Sequence, residues 1–297
     1  MPSTVPEATA LPDYSDYLHV VVAVIDNACG EVLIAKRHDH LHQGGLWEFP
    51  GGKVEASEDV YRALQRELFE ELAIEVLSAH PLIRIPYTYP ERNVLLDVWR
   101  VSEIRGTPHG AEGQLIKWVA KRELGSYEFP SANRPIITAA QLPATYLVTP
   151  GPGPQSEWPT FLQRLERSLQ AGTTLLQFRA PELDVESYLL LAGEVIELAH
   201  RYGAKVLLNA EAALLDQCNA DGIHLNTRRL IASGKRPVAQ DQLLAASCHS
   251  AEELHCAERV GVDFALLSPV KQTTSHPDAT PLGWQQFNGL SEQCVIP

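Results

Sequence analysis

The sequence is short of the features that mark secreted, membrane-embedded or nucleic-acid-coating proteins. Its five cysteines (Cys29, Cys218, Cys248, Cys256 and Cys294) are odd in number and scattered, with no CxxC pair. That usage argues against a disulfide scaffold and fits a reducing compartment. No apolar run reaches the ~20 residues a membrane-spanning helix needs; HVVVAVI at 19–25 has the length of a strand. The first residues carry neither a basic start nor an apolar core, so no signal peptide is expected. Basic charge is scarce: 24 Lys and Arg stand against 37 Asp and Glu, a net charge of −13. This disfavours a broad basic surface for polymeric nucleic acid, yet a metal and a few arginines suffice to hold a free nucleotide. The expectation is a soluble, cytoplasmic protein with no membrane partner.

What is present fits two domains. A length of 297 residues exceeds one typical domain, and 45% hydrophobic residues are ample for real cores. Residues 1–16, rich in Pro, Ser, Thr and acids, read as disordered. HVVVAVI and EVLIAKR (31–37) read as strands, HDHLHQGGLWEFPGG (38–52) as a loop, and PLIRIPYTYP, NVLLDVWRV and QLIKWV (81–119) as antiparallel strands. FPSANRPIITAAQL (129–142) reads as a loop and a closing helix, giving an α+β domain over 17–142. From 146 the pattern changes. YLVTP, TLLQFR, KVLLN, GIHL, LLAASCH and FALLSPV are short apolar runs separated by helical stretches such as 160–171 and 185–202. That alternation predicts parallel βαβ units over 146–297, an α/β domain.

The densest chemistry lies in GKVEASEDVYRALQRELFEELAI at 52–74. On a helix Glu67, Glu70 and Glu71 stand at i, i+3 and i+4 and share a face. Crowded carboxylates repel unless a cation sits among them, and hard oxygen donors suit Mg²⁺ or Mn²⁺, which bind phosphate oxygens in turn. Tyr61, Leu64, Leu68 and Leu72 form an adjacent stripe that can pack inward. Glu58 lies near the helix start, and Arg66 is within reach of acidic neighbours. A salt-bridged surface helix would show a similar glutamate content; the preceding glycine turn and the fixed spacing favour the metal.

The window resembles the Nudix box, G-x5-E-x7-R-E-U-x-E-E-x-G-U with U apolar, departing from it only at Ala73. With LWEFPGGKVE, AKR at 35–37, YPER at 89–92, AEGQ at 111–114 and FPSANRP at 129–135, the first domain is similar to MutT-type 8-oxo-dGTP pyrophosphohydrolases. The resemblance implies a mixed sheet between helices and cleavage of a nucleoside triphosphate to a monophosphate and pyrophosphate. By the same resemblance Glu67, Glu70 and Glu71 hold Mg²⁺ (or Mn²⁺), one of them acting as base, and Arg66 belongs to the catalytic set. Glu112 adds a fourth carboxylate, Gly51 lies at the metal and Lys53 at the phosphates. Asn133 reads 8-oxoguanine, Arg37 and Arg92 lie near base and sugar, and Tyr89 stacks on the ring. The residues alone also allow Asn133, beside Pro135, as a turn former, and the two arginines as surface strand residues. Trp47 and Phe49 read as packing for the glycine loop. Where the motif has glycine, Ala73 would cost on the order of 1 kcal/mol if the backbone there needs positive φ.

The second domain resembles thiamine-phosphate synthases and TenI-type thiazole tautomerases, which are (β/α)8 barrels. YLVTP, GTTLLQFR, VLLN, ADGIHL, SCHS, SPVKQTTSHP and PLGW carry the likeness. Several positions depart from the synthases. The family's Gln-x-Arg-x-Lys is Gln177, Arg179, Pro181 here, its Asn-Asp is Asn209-Ala210, and the acid after the His-Leu pair falls among Thr227, Arg228 and Arg229. Two magnesium-binding carboxylates are therefore missing, and synthase activity is not expected. His249 matches a catalytic position of the tautomerases and reads equally as structural. PGPGP (150–154) follows the first strand, where a barrel places a functional loop. Residues 146–297 provide six strands and a possible seventh at CVIP, so the barrel is expected to be incomplete at its C-terminal side, through truncation or by design.

Overall fold

A computed structural model describes residues 14–40, 43–272 and 280–297. Residues 1–13 of the segment read as disordered, and the TTSHP portion of SPVKQTTSHP, lie outside the described residues. The chain divides into two compact units, the first built on residues up to Leu142 and the second on Pro143–Ser291. Among the described residues no helix is long and apolar enough to cross a membrane.

The first unit begins with β1 (Leu18–Ile25) and β2 (Glu31–Lys36), followed by β3 (Trp47–Glu48) and β4 (Gly51–Lys53). Helix α1 (Val60–Leu72), the long strands β5 (Glu75–Thr88) and β6 (Asn93–Arg105), β7 (Ile116–Ala120) and α2 (Arg134–Gln141) complete it. One sheet has the order β4-β1-β6-β5 and a second the order β3-β2-β7. β1 runs parallel to β6 and antiparallel to β4, so the first sheet is mixed. The apolar run of β1 is continuous because both of its faces are buried. Val22 and Val24 join a core with Ile136 and Ala140 of α2, whereas Val21, Ala23 and Ile25 join Leu64, Leu68 and Leu72 of α1.

Two expectations need correction here. Residues 81–119 do not form one antiparallel set: β5 and β6 pair antiparallel, but β7 pairs with β2, placing Val119 opposite Val32. Burial of Val119 beside Val32 and Ile34 decides this pairing, and such a contact is invisible to local alternation. The segment 38–52 also contains two short strands, because β4 aligns Gly51 and Gly52 with Val22 and Val21 of β1.

Asp59 caps α1 by accepting from the Arg62 N–H at 3.0 Å. Leu64, Leu68 and Leu72 are fully buried, so the apolar stripe fixes which helix face remains for chemistry. The helix ends at Ala73, whose φ of 55° and ψ of 39° are left-handed and whose N–H returns to Leu68 and Phe69 carbonyls. The turn that the motif serves with glycine is thus kept by an alanine in a strained conformation.

The second unit runs β8 (Leu147–Val148), α3 (Trp158–Gln170), β9 (Leu175–Phe178), α4 (Val185–Arg201), β10 (Lys205–Leu208) and β11 (Gly222–Leu225). It continues with α5 (Thr227–Ser233), β12 (Leu243–Cys248), α6 (Ala251–Val260), β13 (Phe264–Leu267) and α7 (Gly283–Ser291). All six strands are parallel and pair in chain order, β13-β12-β11-β10-β9-β8. Tyr146, at the β8 edge, packs edge-on against Phe264 of the opposite edge strand at 5.1 Å between ring centres. One edge can reach the other only if the sheet curls, and it does so into a half-barrel. The possible seventh strand at CVIP is not formed: the chain passes from α7 into turns and irregular structure.

Ala73→Gly is expected to stabilise the first unit by up to about 1 kcal/mol, because relief of the left-handed alanine outweighs the added chain entropy. Denaturant midpoints of the two proteins check this, and an unchanged or lower midpoint would refute the strain.

Candidate active site

The polar face of α1 meets the glycine strand β4. A Cβ on Gly52 would lie 2.2 Å from Glu67 Oε2, so only glycine leaves room for that carboxylate. A Cβ on Gly51, whose φ is +145°, would lie 2.1 Å from the Val21 carbonyl oxygen of β1. With no side chain in the way, the Gly51 N–H donates to Glu71 Oε2 at 3.0 Å. Two glycines therefore bring the backbone of β4 against two glutamates of α1.

Arg66 organises the remaining acids. It donates to both oxygens of Glu58 at 2.5 and 3.2 Å, to Glu67 at 2.8 Å, to Glu70 at 3.2 Å and to the Lys53 carbonyl at 2.9 Å. These bonds hold the Glu58 carboxyl below its ordinary range. Burial raises Glu67, against the pull of Arg66. Burial is also the main cause that lifts Glu71 to about 8; the carboxylates of Glu48, Glu67 and Glu112 add to the rise, and the Gly51 N–H opposes it. A buried carboxylate pushed upward by three neighbouring acids is a site deficient in positive charge.

Glu112 arrives on the loop after β6. The Ala111 N–H donates to the Glu71 carbonyl at 2.9 Å and Gln114 Nε2 to the same oxygen at 2.8 Å, while Gln114 Oε1 accepts the Glu112 N–H at 3.0 Å. Gln114 thus ties the Glu112 loop to the end of α1, a role the sequence reading missed. Glu112 itself is exposed, close enough for its charge to be felt at Glu71.

A cavity of about 330 Å³ opens beside this cluster, lined by Arg37, Glu48, Gly51, Gly52, Lys53, Glu71, Tyr89, Arg92 and Asn133, with Phe49 and Leu96 among its apolar walls. Asn133 is buried at 9% exposure, and among the described residues its side-chain amide has no hydrogen-bond partner. Burial raises the Tyr89 hydroxyl. Glu48, also missed, is ion-paired with Arg37; burial raises its carboxyl and Arg37 opposes the rise. Glu48 lies between Trp47, which packs edge-on against Tyr127, and Phe49, which packs against Phe129 at 5.3 Å and lines the same cavity. The sequence-selected residues therefore gather in two adjoining groups, acids on one side and base-sized cavity on the other.

Among the described residues no three acidic, imidazole or thiol groups converge closely enough to hold an ion as they stand. Arg66 is the physical reason, since its charge lies between Glu58, Glu67 and Glu70. The donor set nevertheless fits a hard divalent cation: Glu71 and Glu67 are oxygen donors raised by burial, and the glycines of β4 admit close approach.

In the second unit His249 is exposed. Its Nδ1 lies against the Ser268 carbonyl, and its N–H donates to Glu253 Oε2 at 2.7 Å. The loop after β8 lines a separate cavity of about 560 Å³ with α3, including Thr149, Gly151, Glu157 and Arg164.

Comparison with known families agrees with this geometry. The NUDIX domain family matches residues 20–139, and the thiamine monophosphate synthase (TMP-TENI) family matches residues 145–297. The chain belongs to both, as a Nudix–TenI fusion. Its Nudix unit is 36% identical over 120 residues to the 8-oxo-dGTP diphosphatase of Escherichia coli K12, covering 40% of this chain and 93% of that protein. It is also 36% identical over 122 residues to the CTP pyrophosphohydrolase of the same organism, covering 41% and 90%. The TenI-like unit is 33% identical over 157 residues to a putative thiamine-phosphate synthase of Aquifex aeolicus VF5, covering 53% and 83%. Membership of the Nudix family makes the first unit a hydrolase of phosphoric anhydrides, and Nudix hydrolases generally use divalent metals.

The raised Glu71 pKa gives the fusion a defined pH response. Its folded value, about 8, lies above the ordinary 4.5, so the native state binds this proton more tightly than the unfolded chain. Stability in EDTA should fall as pH rises from 4.5 through 8, and Glu71→Gln should remove that slope, stabilising the protein at pH 9 by roughly 2–4 kcal/mol. Equal slopes for the two proteins in denaturant titrations from pH 5 to 9 would contradict the buried-carboxylate assignment.

Proposed function

We propose that the Nudix unit is a Mg²⁺-dependent nucleoside triphosphate pyrophosphohydrolase that converts 8-oxo-dGTP and water to 8-oxo-dGMP and pyrophosphate. The observation that carries this reading is Asn133, only 9% exposed, on the wall of the same cavity that Gly51, Gly52 and Glu71 line. An amide that donates and accepts together suits a purine edge bearing both a carbonyl and an N–H, which oxidation at C8 creates.

In this reading Tyr89 supplies a ring for stacking, and Arg37 and Arg92 supply charge and donors at the base and sugar. Lys53 supplies positive charge for the phosphates. Glu67, Glu70, Glu71 and Glu112 would hold the metal, which would supply charge to neutralise the polyphosphate and lower the pKa of water. Water forms a bond to the β-phosphorus, the bridge to the α-phosphate breaks, and one of the glutamates accepts the water's proton. Arg66 fixes the rotamers of Glu67 and Glu70. Phosphoryl transfer needs positioning and charge neutralisation above all, so no covalent nucleophile is required. Removal of oxidised nucleotides from the cytoplasmic pool, and thus mutation avoidance at DNA replication, is the role this activity implies.

The equal identity to a CTP pyrophosphohydrolase supports a second reading, another nucleotide in the same cavity. A panel of 8-oxo-dGTP, dGTP and CTP with Mg²⁺ separates the two. The first reading expects kcat/KM for 8-oxo-dGTP to exceed that for dGTP by at least about tenfold, with Asn133→Ala erasing most of the difference, the worth of one buried base contact. Turnover of dGTP or CTP as efficient as that of 8-oxo-dGTP overturns it. Glu67→Gln should lower turnover roughly a thousandfold with the fold intact, the scale of losing a main electrostatic contributor; a mild effect removes Glu67 from the metal set.

A further inference from the structure

The loop that carries Glu112 doubles as the C-terminal cap of the helix that carries the other acids. A helix leaves the carbonyls of its last turn without partners of its own. On α1 the Leu68 and Phe69 carbonyls are met by the Ala73 N–H. Those of Glu71 and Leu72 are met from residues 109–114, far along the chain. The Leu72 oxygen accepts the His109 N–H at 3.2 Å. The Glu71 oxygen accepts the Ala111 N–H at 2.9 Å and Gln114 Nε2 at 2.8 Å.

The amide of Gln114 closes this arrangement. Its nitrogen donates to the Glu71 carbonyl, and its oxygen accepts the Glu112 N–H at 3.0 Å. A carbonyl only accepts and an N–H only donates, so neither bond survives a turned amide. One side chain therefore joins the main chains of two residues whose carboxylates are assigned to the metal. Burial is what mainly lifts the Glu71 pKa, and the Glu112 carboxylate is near enough to add to the push.

The rest of the loop is held closely as well. A Cβ on Gly110 would lie 1.9 Å from the Gln114 carbonyl oxygen, and the Gly113 N–H donates to the Gly110 carbonyl at 3.0 Å. Gly106, where the loop leaves β6, passes beside the helix end: a Cβ there would lie 3.3 Å from the Ala73 carbonyl oxygen. Beyond Gln114 the Leu115 carbonyl accepts the Lys36 N–H at 2.8 Å, and β7 begins. Glu112 itself is exposed between these anchors. An exposed side chain keeps its place beside the acids through its backbone, because ordering it there costs conformational entropy. Gln114 is the side chain that binds that backbone to the helix.

We propose that Gln114 is a positioning residue for the divalent cation: it holds Glu112 at the acidic face of α1 and so sets metal affinity without touching metal or nucleotide. The proposal rests on the place of Glu112 in the metal set proposed above.

The test measures Mn²⁺ binding to the full-length protein, without nucleotide, by loss of the free-ion EPR signal. Gln114→Ala should weaken binding about tenfold, the lower end of what removing a group that orients a metal ligand costs. Gln114→Met, of similar length with no amide, should behave alike. Glu112→Gln should also weaken binding. Because Gln114 acts through Glu112, adding Gln114→Ala to Glu112→Gln should cost little more. A merely structural glutamine would cost the same in both backgrounds. Half-maximal turnover in Gln114→Ala should need about ten times more Mg²⁺, with the original rate approached at saturating metal. Ala111 keeps its bond to Glu71, so the end of α1 stays capped, and denaturant unfolding in EDTA checks the fold. Unchanged Mn²⁺ affinity in Gln114→Ala and Gln114→Met, or equal losses in the two backgrounds, overturns the proposal. So does unchanged affinity in Glu112→Gln, which takes Glu112 out of the metal set. The coupling is read without nucleotide, so it holds or fails separately from the activity proposed above.

Discussion

A guanidinium among oxygen acceptors sets the polar architecture of each unit. Arg66 gathers Glu58, Glu67, Glu70 and the Lys53 carbonyl around one fixed charge. Arg229 donates to Asn209 and to Glu211, and arginine neither accepts nor loses its proton. In the Nudix unit the cation holds apart acids that would otherwise repel, and fixes the side of α1 on which they gather. In the TenI-like unit the cation holds Asn209 and Glu211 together. The first arrangement leaves one carboxylate, Glu71, without enough positive charge nearby; the second leaves none short of it. That difference in charge balance separates the chemistry of the two units more sharply than their folds do.

Around Arg66 the backbone is shaped by what side chains would obstruct. Gly52 yields its Cβ space to the Glu67 carboxylate, and Gly51 passes so near the Val21 carbonyl that no other residue fits. The buried leucines of α1 fix the helix rotation, so its acids must face β4. Packing on one face of the helix thereby positions chemistry on the other. Gln114 extends the same economy to the loop that carries Glu112, using one side chain to join two segments far apart in sequence.

Much of this was legible from residue order. The i, i+3, i+4 glutamates, the leucine stripe and the six short parallel strands follow from helical and strand periodicity, which local sequence encodes. Glu48 was not legible, because its pairing with Arg37 joins two neighbouring strands and no local pattern states it. The pairing of β7 with β2 was not legible, because long-range burial of Val119 decided it. The CVIP run has strand-like composition, yet it forms no strand.

The sequence by itself determined the class of chemistry, since a fixed spacing of glycine, arginine and glutamates commits a helix face to hard-cation and phosphate work. It also determined that the second unit lacks two acids. Only the tertiary structure decided what those absences mean. It placed Asn133 beside the acidic cluster, raised Glu71 through burial among other carboxylates, and brought Arg229 onto Asn209. Charge balance and bond direction depend on distances between segments that chain order does not state.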